Sequence, residues 1–166
     1  MRLLSELHGQ IDARVLAIRS ARPDWQCARG CDACCRRLAA EPRLTAAEWD
    51  LLRAGLAELP AERLRPIAAD LATLDGRSQG PLVCPLLDQA TGACTVYAWR
   101  PVACRTYGFY VERQLGLYCH DIEARVAGGA LADVVWGNHD AIDHGLASLG
   151  EVRTLREWFA GWQDRP

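Results

Sequence analysis

The sequence contains no lysine: all 19 basic residues are arginine, against 21 acidic residues. A protein without lysine cannot form a Schiff base through a lysine amine, and it has no lysine for a phosphate-binding P-loop. Two large classes of enzyme are therefore excluded. The formal net charge of -2 gives no electrostatic basis for binding nucleic acid or an anionic membrane surface, so we expect neither as a partner.

Long apolar runs are absent as well. No stretch approaches the ~18 uninterrupted apolar residues of a membrane-spanning helix. The first ten residues, MRLLSELHGQ, contain Glu6 and His8, and no small-residue cleavage site follows them. They therefore lack the features of a secretory signal. We expect a cytoplasmic protein.

Length and composition predict one domain with a substantial core. The chain has 166 residues, of which 50% are hydrophobic, so it can bury enough apolar surface to fold without cross-links. It shows no internal repeat, linker or low-complexity tract. We expect a single compact domain over residues 1–166, mainly α-helical with small irregular β segments, in which the helices surround a metal-stapled, cysteine-rich centre.

The apolar spacing predicts helices at both ends of the chain and in its first half. Residues 3–20 repeat apolar side chains at helical intervals, within a helical flank at 1–20. Thr45 and Glu48 form a capping box, which predicts that a helix follows. A further helix is predicted over 64–74; Pro66 starts or kinks it, and it ends near Asp75-Gly76. Two more are predicted over 121–135 and over 149–162, the last within a helical flank at 146–164.

The middle of the chain, residues 77–118, is rich in Gly, Pro, Cys and aromatic residues. Its segments 94–97 and 107–111 favour strands, although their alternation is short. Arg100-Pro101 suits a helix start, because proline at the first helical position loses no hydrogen bond. Cys104 would then lie about one turn into that helix, where the positive helix end favours a thiolate.

Cysteine, by contrast, is abundant: the chain has eight. Four of the eight cysteines lie within nine residues, three follow at gaps of nine intervening residues, and one comes later in the chain. These are Cys27, Cys31, Cys34 and Cys35, then Cys84, Cys94 and Cys104, and finally Cys119. In a reducing compartment, clustered thiols are better explained as metal ligands than as disulfides. We take all eight as candidate ligands.

The spacing suggests how the first cluster binds. Cys31-x2-Cys34 lets two sulfurs converge on one metal, and Cys27 can reach the same centre. Adjacent side chains diverge in helices and strands, so Cys35 either faces a second centre, packs as a small buried residue or supports a ligand. The remaining ligands come from distant residues and staple the fold. We expect Cys31, Cys34, Cys94 and Cys104 to share one neighbourhood.

The spacing alone does not choose the metal. Cys84-Pro85 and three cysteines in one loop are typical of iron–sulfur ligation, whereas eight thiols also divide into two four-sulfur zinc sites. Either centre carries negative charge, and arginines flank the cysteines. We expect Arg100 and Arg105 to lie near the thiolates and to offset their charge.

Two patterns together resemble a known family. These patterns are Cys27-x3-Cys31-x2-Cys34-Cys35 and Cys94-Thr95-Val96-Tyr97-x2-Arg100-Pro101-x2-Cys104-Arg105. They resemble the CxxCxxCC family of proposed zinc- or iron-chelating proteins, also called YkgJ-type cysteine-cluster proteins, over residues 27–119. The resemblance implies a metal or iron–sulfur centre and a bacterial cytoplasmic setting. Related cysteine segments occur in flagellin lysine methylases, but the resemblance implies no reaction.

A second group of ligand-type side chains lies near the C-terminus. In a helix, His139 with Asp143 and Asp140 with His144 would lie at i,i+4 and could present a metal site, but we favour an exposed turn or short helix as the explanation of these residues. His120, beside Cys119, is a further candidate ligand or a surface histidine.

Three functions remain. We favour an iron–sulfur protein that transfers electrons or assists a redox enzyme, which implies a protein partner. The alternatives are a binding module stabilised by one or two zinc ions and a metal-dependent enzyme of unknown substrate. The chain is too short for a radical S-adenosylmethionine barrel. Neither catalytic residues nor an oligomeric state follow from the sequence.

Overall fold

The computed structural model describes residues 2–74, 81–113 and 115–163. Half of the chain is helical and 13% is strand, which confirms the mainly α-helical class with small β segments. The α-helices of the described residues are α1 (Arg2–Ala21), α2 (Ala46–Ala57), α3 (Ala61–Thr73), α4 (Val102–Thr106), α5 (His120–Ala127), α6 (His139–Leu146) and α7 (Leu155–Gln163). A single turn of 3₁₀-helix covers Tyr97–Trp99.

The strands are short and form three small sheets. They are β1 (Arg43–Thr45), β2 (Leu87–Asp88), β3 (Ala93–Cys94), β4 (Tyr110–Glu112), β5 (Leu115–Leu117), β6 (Gly137–Asn138) and β7 (Val152–Thr154). β1 pairs with β7 and β2 with β3, both antiparallel, whereas β4 lies between antiparallel β5 and parallel β6. None of the helices in the described residues has the length and apolar character that crossing a membrane requires.

By internal contacts the chain divides into two compact units. Unit 1 comprises Met1–Ala28 and Val102–Leu149, and unit 2 comprises Arg29–Pro101 and Gly150–Pro166. Units defined by contacts are not the same as independently folding domains, so the expected single domain stays a prediction.

Unit 1 is built on the long first helix. The apolar face of α1 is buried at Leu4, Leu7, Ile11 and Ile18, as its spacing predicts. This face packs against α4 and α6. α5 is shorter than the predicted helix over 121–135: it ends at Ala127, Gly128 is its C-cap, and Gly129 follows with φ of +74°. Glycine at a positive φ ends a helix at little steric cost, and this pair outweighs the apolar residues beyond it.

Unit 2 has a core drawn from β1, three helices and the cysteine-rich segment. Its buried side chains are Leu44, Trp49, Leu52, Leu56, Ile67, Leu71, Leu86, Val96, Leu155 and Phe159. Cys84 and Cys94 pack against this core while half-buried themselves. The core therefore fixes the positions of two predicted ligands.

Helix starts in unit 2 follow capping chemistry. The predicted capping box at the start of α2 is confirmed: the Glu48 carboxylate accepts from the Thr45 amide at 2.9 Å, and the Thr45 hydroxyl accepts from the Glu48 amide. α3 begins after Pro60, so Pro66 lies inside the helix rather than at its start. The predicted end of this helix at Asp75-Gly76 lies outside the described residues.

The last helix begins later than predicted. Residues 152–154 form β7 against β1, and α7 starts only at Leu155. Thr154 and Glu157 exchange the two hydrogen bonds of a second capping box. The Thr-x-x-Glu pattern of this capping box is present in the sequence. The helical spacing of apolar residues extends upstream of Thr154, however, and it predicts an earlier start of the helix.

Candidate metal centre

The cysteines are distributed over both units. Unit 2 holds Cys31, Cys34, Cys35, Cys84 and Cys94, and unit 1 holds Cys27, Cys104 and Cys119. Cys31 and Cys104 are exposed, and the other six are half-buried. All eight are free thiols in the structure.

A thiol cluster forms in unit 2 from Cys34, Cys35, Cys84 and Cys94. The Cys34 and Cys35 sulfurs lie 4.0 Å apart. Cys35 also hydrogen bonds to the Cys84 side chain, the charge of Cys94 acts on Cys35, and the charge of Cys34 acts on Cys94. Residues from three separate stretches of sequence therefore meet in one neighbourhood.

Backbone pairing brings these stretches together. Leu38 and Leu82 form an antiparallel bridge, and the Cys84 amide donates to the Cys35 carbonyl at 2.7 Å. Cys94 lies in the hairpin of β2 and β3, where it pairs with Leu87. The sequence favours a strand over 94–97, but only Cys94 of that segment lies in β3, and residues from Tyr97 form the 3₁₀ turn. The pairing partners have no signal in the sequence, because the segments are too short to show alternation.

Cys34 and Cys35 lie in a turn over residues 33–36. The expectation that adjacent side chains diverge applies to helices and strands, and this turn is neither. Two thiolates bound to the same tetrahedral zinc ion at ~2.3 Å lie roughly 3.8 Å apart. The observed 4.0 Å between the two sulfurs is close to that separation, so the geometry fits one ion.

Burial and mutual hydrogen bonding keep these thiols protonated in the metal-free chain. The hydrogen bond to Cys35, followed by burial, raises the pKa of Cys34. For Cys35, the hydrogen bond with Cys34 lowers the pKa, but the bond to Cys84 and burial outweigh it and raise the pKa to about 12. A metal ion that binds here must displace protons. Among the described residues, no three Cys, His, Asp or Glu side chains are already arranged to hold a metal.

Arg100 is the charged side chain that acts on this cluster. Burial raises the pKa of Cys94, and the positive charge of Arg100 opposes that rise. Arg100 is held over the Tyr97 ring at 3.4 Å from the ring centroid, and its Nε donates to the Tyr97 carbonyl at 2.9 Å. It is thus positioned to offset negative charge at Cys94.

The predicted ligands of unit 1 lie in different local settings. Arg19 donates to the Cys27 carbonyl, and the backbone of Gly108 lies close to the Cys27 sulfur. Cys104 occupies the first turn of α4, as predicted, and Cys119 precedes α5 as its N-cap residue. Their roles as ligands stay predictions.

Arg105 belongs to unit 1, and its guanidinium lies 3.4 Å from the Asp12 carboxylate of α1. Its expected role beside the Cys104 thiolate stays a prediction.

The histidine group is helical, as its spacing allows. In α6, His139 Nδ1 lies 3.1 Å from Asp143 Oδ1, whereas His144 Nδ1 lies 2.8 Å from the Asp140 carbonyl. His144 therefore contacts the backbone rather than the Asp140 carboxylate. His120 is exposed at the start of α5.

Converging thiols with an arginine beside them are typical of cysteine-rich metal-binding proteins. Residues 26–123, more than half of the chain, match the family model CxxCxxCC, described as "Putative zinc- or iron-chelating domain". The chain belongs to this family. No curated protein and no solved structure matches it.

Proposed function

We propose that the protein binds a single zinc or iron ion through the four cysteines of the thiol cluster. The observation that carries the proposal is the convergence of Cys34, Cys35, Cys84 and Cys94, with the first two sulfurs 4.0 Å apart. Four thiolates suit a closed tetrahedral site whose role is structural. Such a site supplies about 10–16 kcal/mol of apparent binding free energy when the metal is zinc.

The ion's role would be to hold loop-rich chain against the core of unit 2. The turn at 33–36, the segment at Cys84 and the β2–β3 hairpin share few backbone hydrogen bonds with each other. Because a bound ion links all three, its free energy of binding adds to the free energy of unfolding. Removing the metal is therefore expected to loosen unit 2.

An iron–sulfur protein in electron transfer, or in support of a redox enzyme, is the second candidate. Two observations favour it: the chain carries more thiols than one ion needs, and Arg100 acts on the charge of Cys94. Charge near a cluster tunes its reduction potential. This candidate implies a redox protein partner.

Metal and sulfide analysis of anaerobically purified protein separates the two candidates. The first predicts one equivalent of zinc or iron with no acid-labile sulfide. Iron with equimolar labile sulfide and a brown colour would reject the first candidate in favour of the second. Absence of bound metal after purification in zinc- and iron-supplemented medium would reject both.

A further inference from the structure

A cavity of about 430 Å³ lies within unit 2 and reaches Cys94 of the thiol cluster. Its walls come from the first cysteine loop at Arg29, from α3 at Arg63 and from the β2–β3 hairpin at Asp88 and Thr91. This volume is within the range of small-molecule sites, which is about 300–1,000 Å³.

Positive charge dominates the cavity. Arg29 forms no ion pair with any of the described residues, and its charge lies 5.7 Å from the Tyr97 ring centroid. Arg63 Nη2 donates to Asp88 Oδ2 at 2.8 Å, which leaves the other guanidinium donors of Arg63 for a ligand. The lining of the cavity thus carries two guanidinium groups and one carboxylate.

The hairpin wall presents polar groups in a fixed arrangement. Asp88 Oδ1 accepts from the Ala90 amide at 3.0 Å and from the Thr91 amide at 3.3 Å, which orders the turn. The Thr91 hydroxyl accepts from the Ala93 amide and still has its own hydrogen to donate.

Close backbone contact holds the two walls together. Gly92 has φ of +67°, and a Cβ atom there would lie 2.9 Å from the Gly30 carbonyl oxygen. Arg36 pairs with Asp32 at 2.5 Å and donates to the Gln89 carbonyl at 3.4 Å. The first cysteine loop and the hairpin are therefore joined at two places, by Gly30 against Gly92 and by Arg36 with Gln89.

We infer that this cavity binds a small oxyanion, a carboxylate or a phosphate, beside the cysteine centre. The planar guanidinium group of Arg29 matches either anion through paired N–H donors. Arg63 supplies a second positive charge, and the Thr91 hydroxyl supplies a neutral donor. The site is formed by the protein alone, so the inference does not depend on the metal proposed above.

Isothermal titration calorimetry of the full chain with inorganic phosphate and, separately, with citrate tests the inference at constant ionic strength. We expect at least one of the two anions to bind, and the comparison shows which chemistry the site prefers. Arg29→Gln should weaken that binding about tenfold or more, because hydrogen bonds to charged groups are the strong ones. Arg37→Gln and Arg65→Gln remove exposed arginines that do not line the cavity, and they should bind like the unaltered protein.

Asp88→Asn should change the affinity for the anion in the opposite direction to Arg29→Gln. Asparagine keeps the Oδ1 acceptor of the turn but removes the carboxylate that competes for Arg63. We expect this variant to bind the anion several-fold more tightly. Lack of binding of both anions, equal binding by Arg29→Gln and Arg37→Gln, or weaker binding by Asp88→Asn would each overturn the inference. Metal content is measured on the same samples. A protein that retains its metal but binds neither anion would reject the anion site and leave the proposed metal centre standing.

Discussion

At the scale of single residues, Cys35 occupies the central place in the thiol cluster. It hydrogen bonds to the side chains of Cys34 and Cys84, and the charge of Cys94 acts on it. The spacing of the cysteines left its role open among a ligand of a second centre, a packed residue and a supporting residue. The turn at 33–36 makes it a ligand candidate, because in this conformation neighbouring sulfurs converge.

Arg100 is the second residue on which the account depends. Arg100→Gln should weaken metal binding several-fold, because its positive charge stabilises the Cys94 thiolate form. Competition with a chelator of known affinity measures the change. Arg37→Gln is the matched control, since Arg37 is exposed. Equal affinities in the two variants would mean that the charge of Arg100 does not act on the bound metal.

At the scale of elements, the sequence predicted where helices occur better than it predicted the residues at which they begin and end. The periodicity of α1 and the capping box of α2 are local signals, and both are confirmed. The end of α5 and the start of α7 depend on a glycine pair and on strand pairing over more than a hundred residues. The cysteine cluster was predicted only in part, because the bridge that brings Cys84 to Cys35 involves single residue pairs.

Alanine substitutions at two helical glycines are expected to change the free energy of unfolding in opposite directions. Gly9 in α1 has no atom within 4 Å of an added Cβ, so Gly9→Ala should stabilise the protein by about 0.5–1 kcal/mol. Gly55 in α2 is buried against the Trp99 ring, and an added Cβ would overlap that ring. Gly55→Ala gains the same propensity, but overpacking costs about 1–3 kcal/mol, so we expect net destabilisation.

Urea unfolding of both glycine variants measures these changes. Gly9→Ala serves as the control, because it changes helix propensity without changing a contact. A Gly55→Ala protein as stable as Gly9→Ala would show that Trp99 moves aside at little cost.

At the scale of the whole molecule, His8 makes the free energy of unfolding depend on pH. Burial and, next, the charge of Arg105 together lower the pKa of His8 to about 4, although the charge of Asp12 acts in the opposite direction. In the unfolded chain the pKa is about 6.5. The unfolded chain therefore takes up a proton between these values that the native protein does not. The contribution is fully present above pH ~6.5 and is lost as pH falls to ~4.

His8→Gln should remove this part of the pH dependence. Because His8 is half exposed, solvent screening reduces the effect to roughly 1–2 kcal/mol. Urea unfolding of metal-free protein at pH ~7 and pH ~5 measures it, and the comparison with His8→Gln under identical conditions removes the contribution of other groups. An identical pH dependence in the variant would assign the effect to those other groups.

The family match covers residues 26–123 and is described as a zinc- or iron-chelating domain, and four converging thiols of unit 2 lie within those residues. The cysteine spacing alone could not show which thiols converge, because all eight cysteines have ligand-like spacing. Exposure now separates two of them: Cys31 is exposed, and Cys35 is half-buried among thiols. The proposed centre therefore requires that Cys35 binds the metal and that Cys31 is dispensable.

Metal content of Cys35→Ser and Cys31→Ser, purified in parallel under anaerobic conditions, tests this claim most directly. Serine is a poorer ligand than a thiolate for zinc or iron. We predict that Cys35→Ser loses most of its metal and unfolds at lower urea concentration, whereas Cys31→Ser keeps close to one equivalent of metal and its stability. Full metal retention in Cys35→Ser, or metal loss in Cys31→Ser as complete as in Cys35→Ser, would contradict the four-thiolate centre.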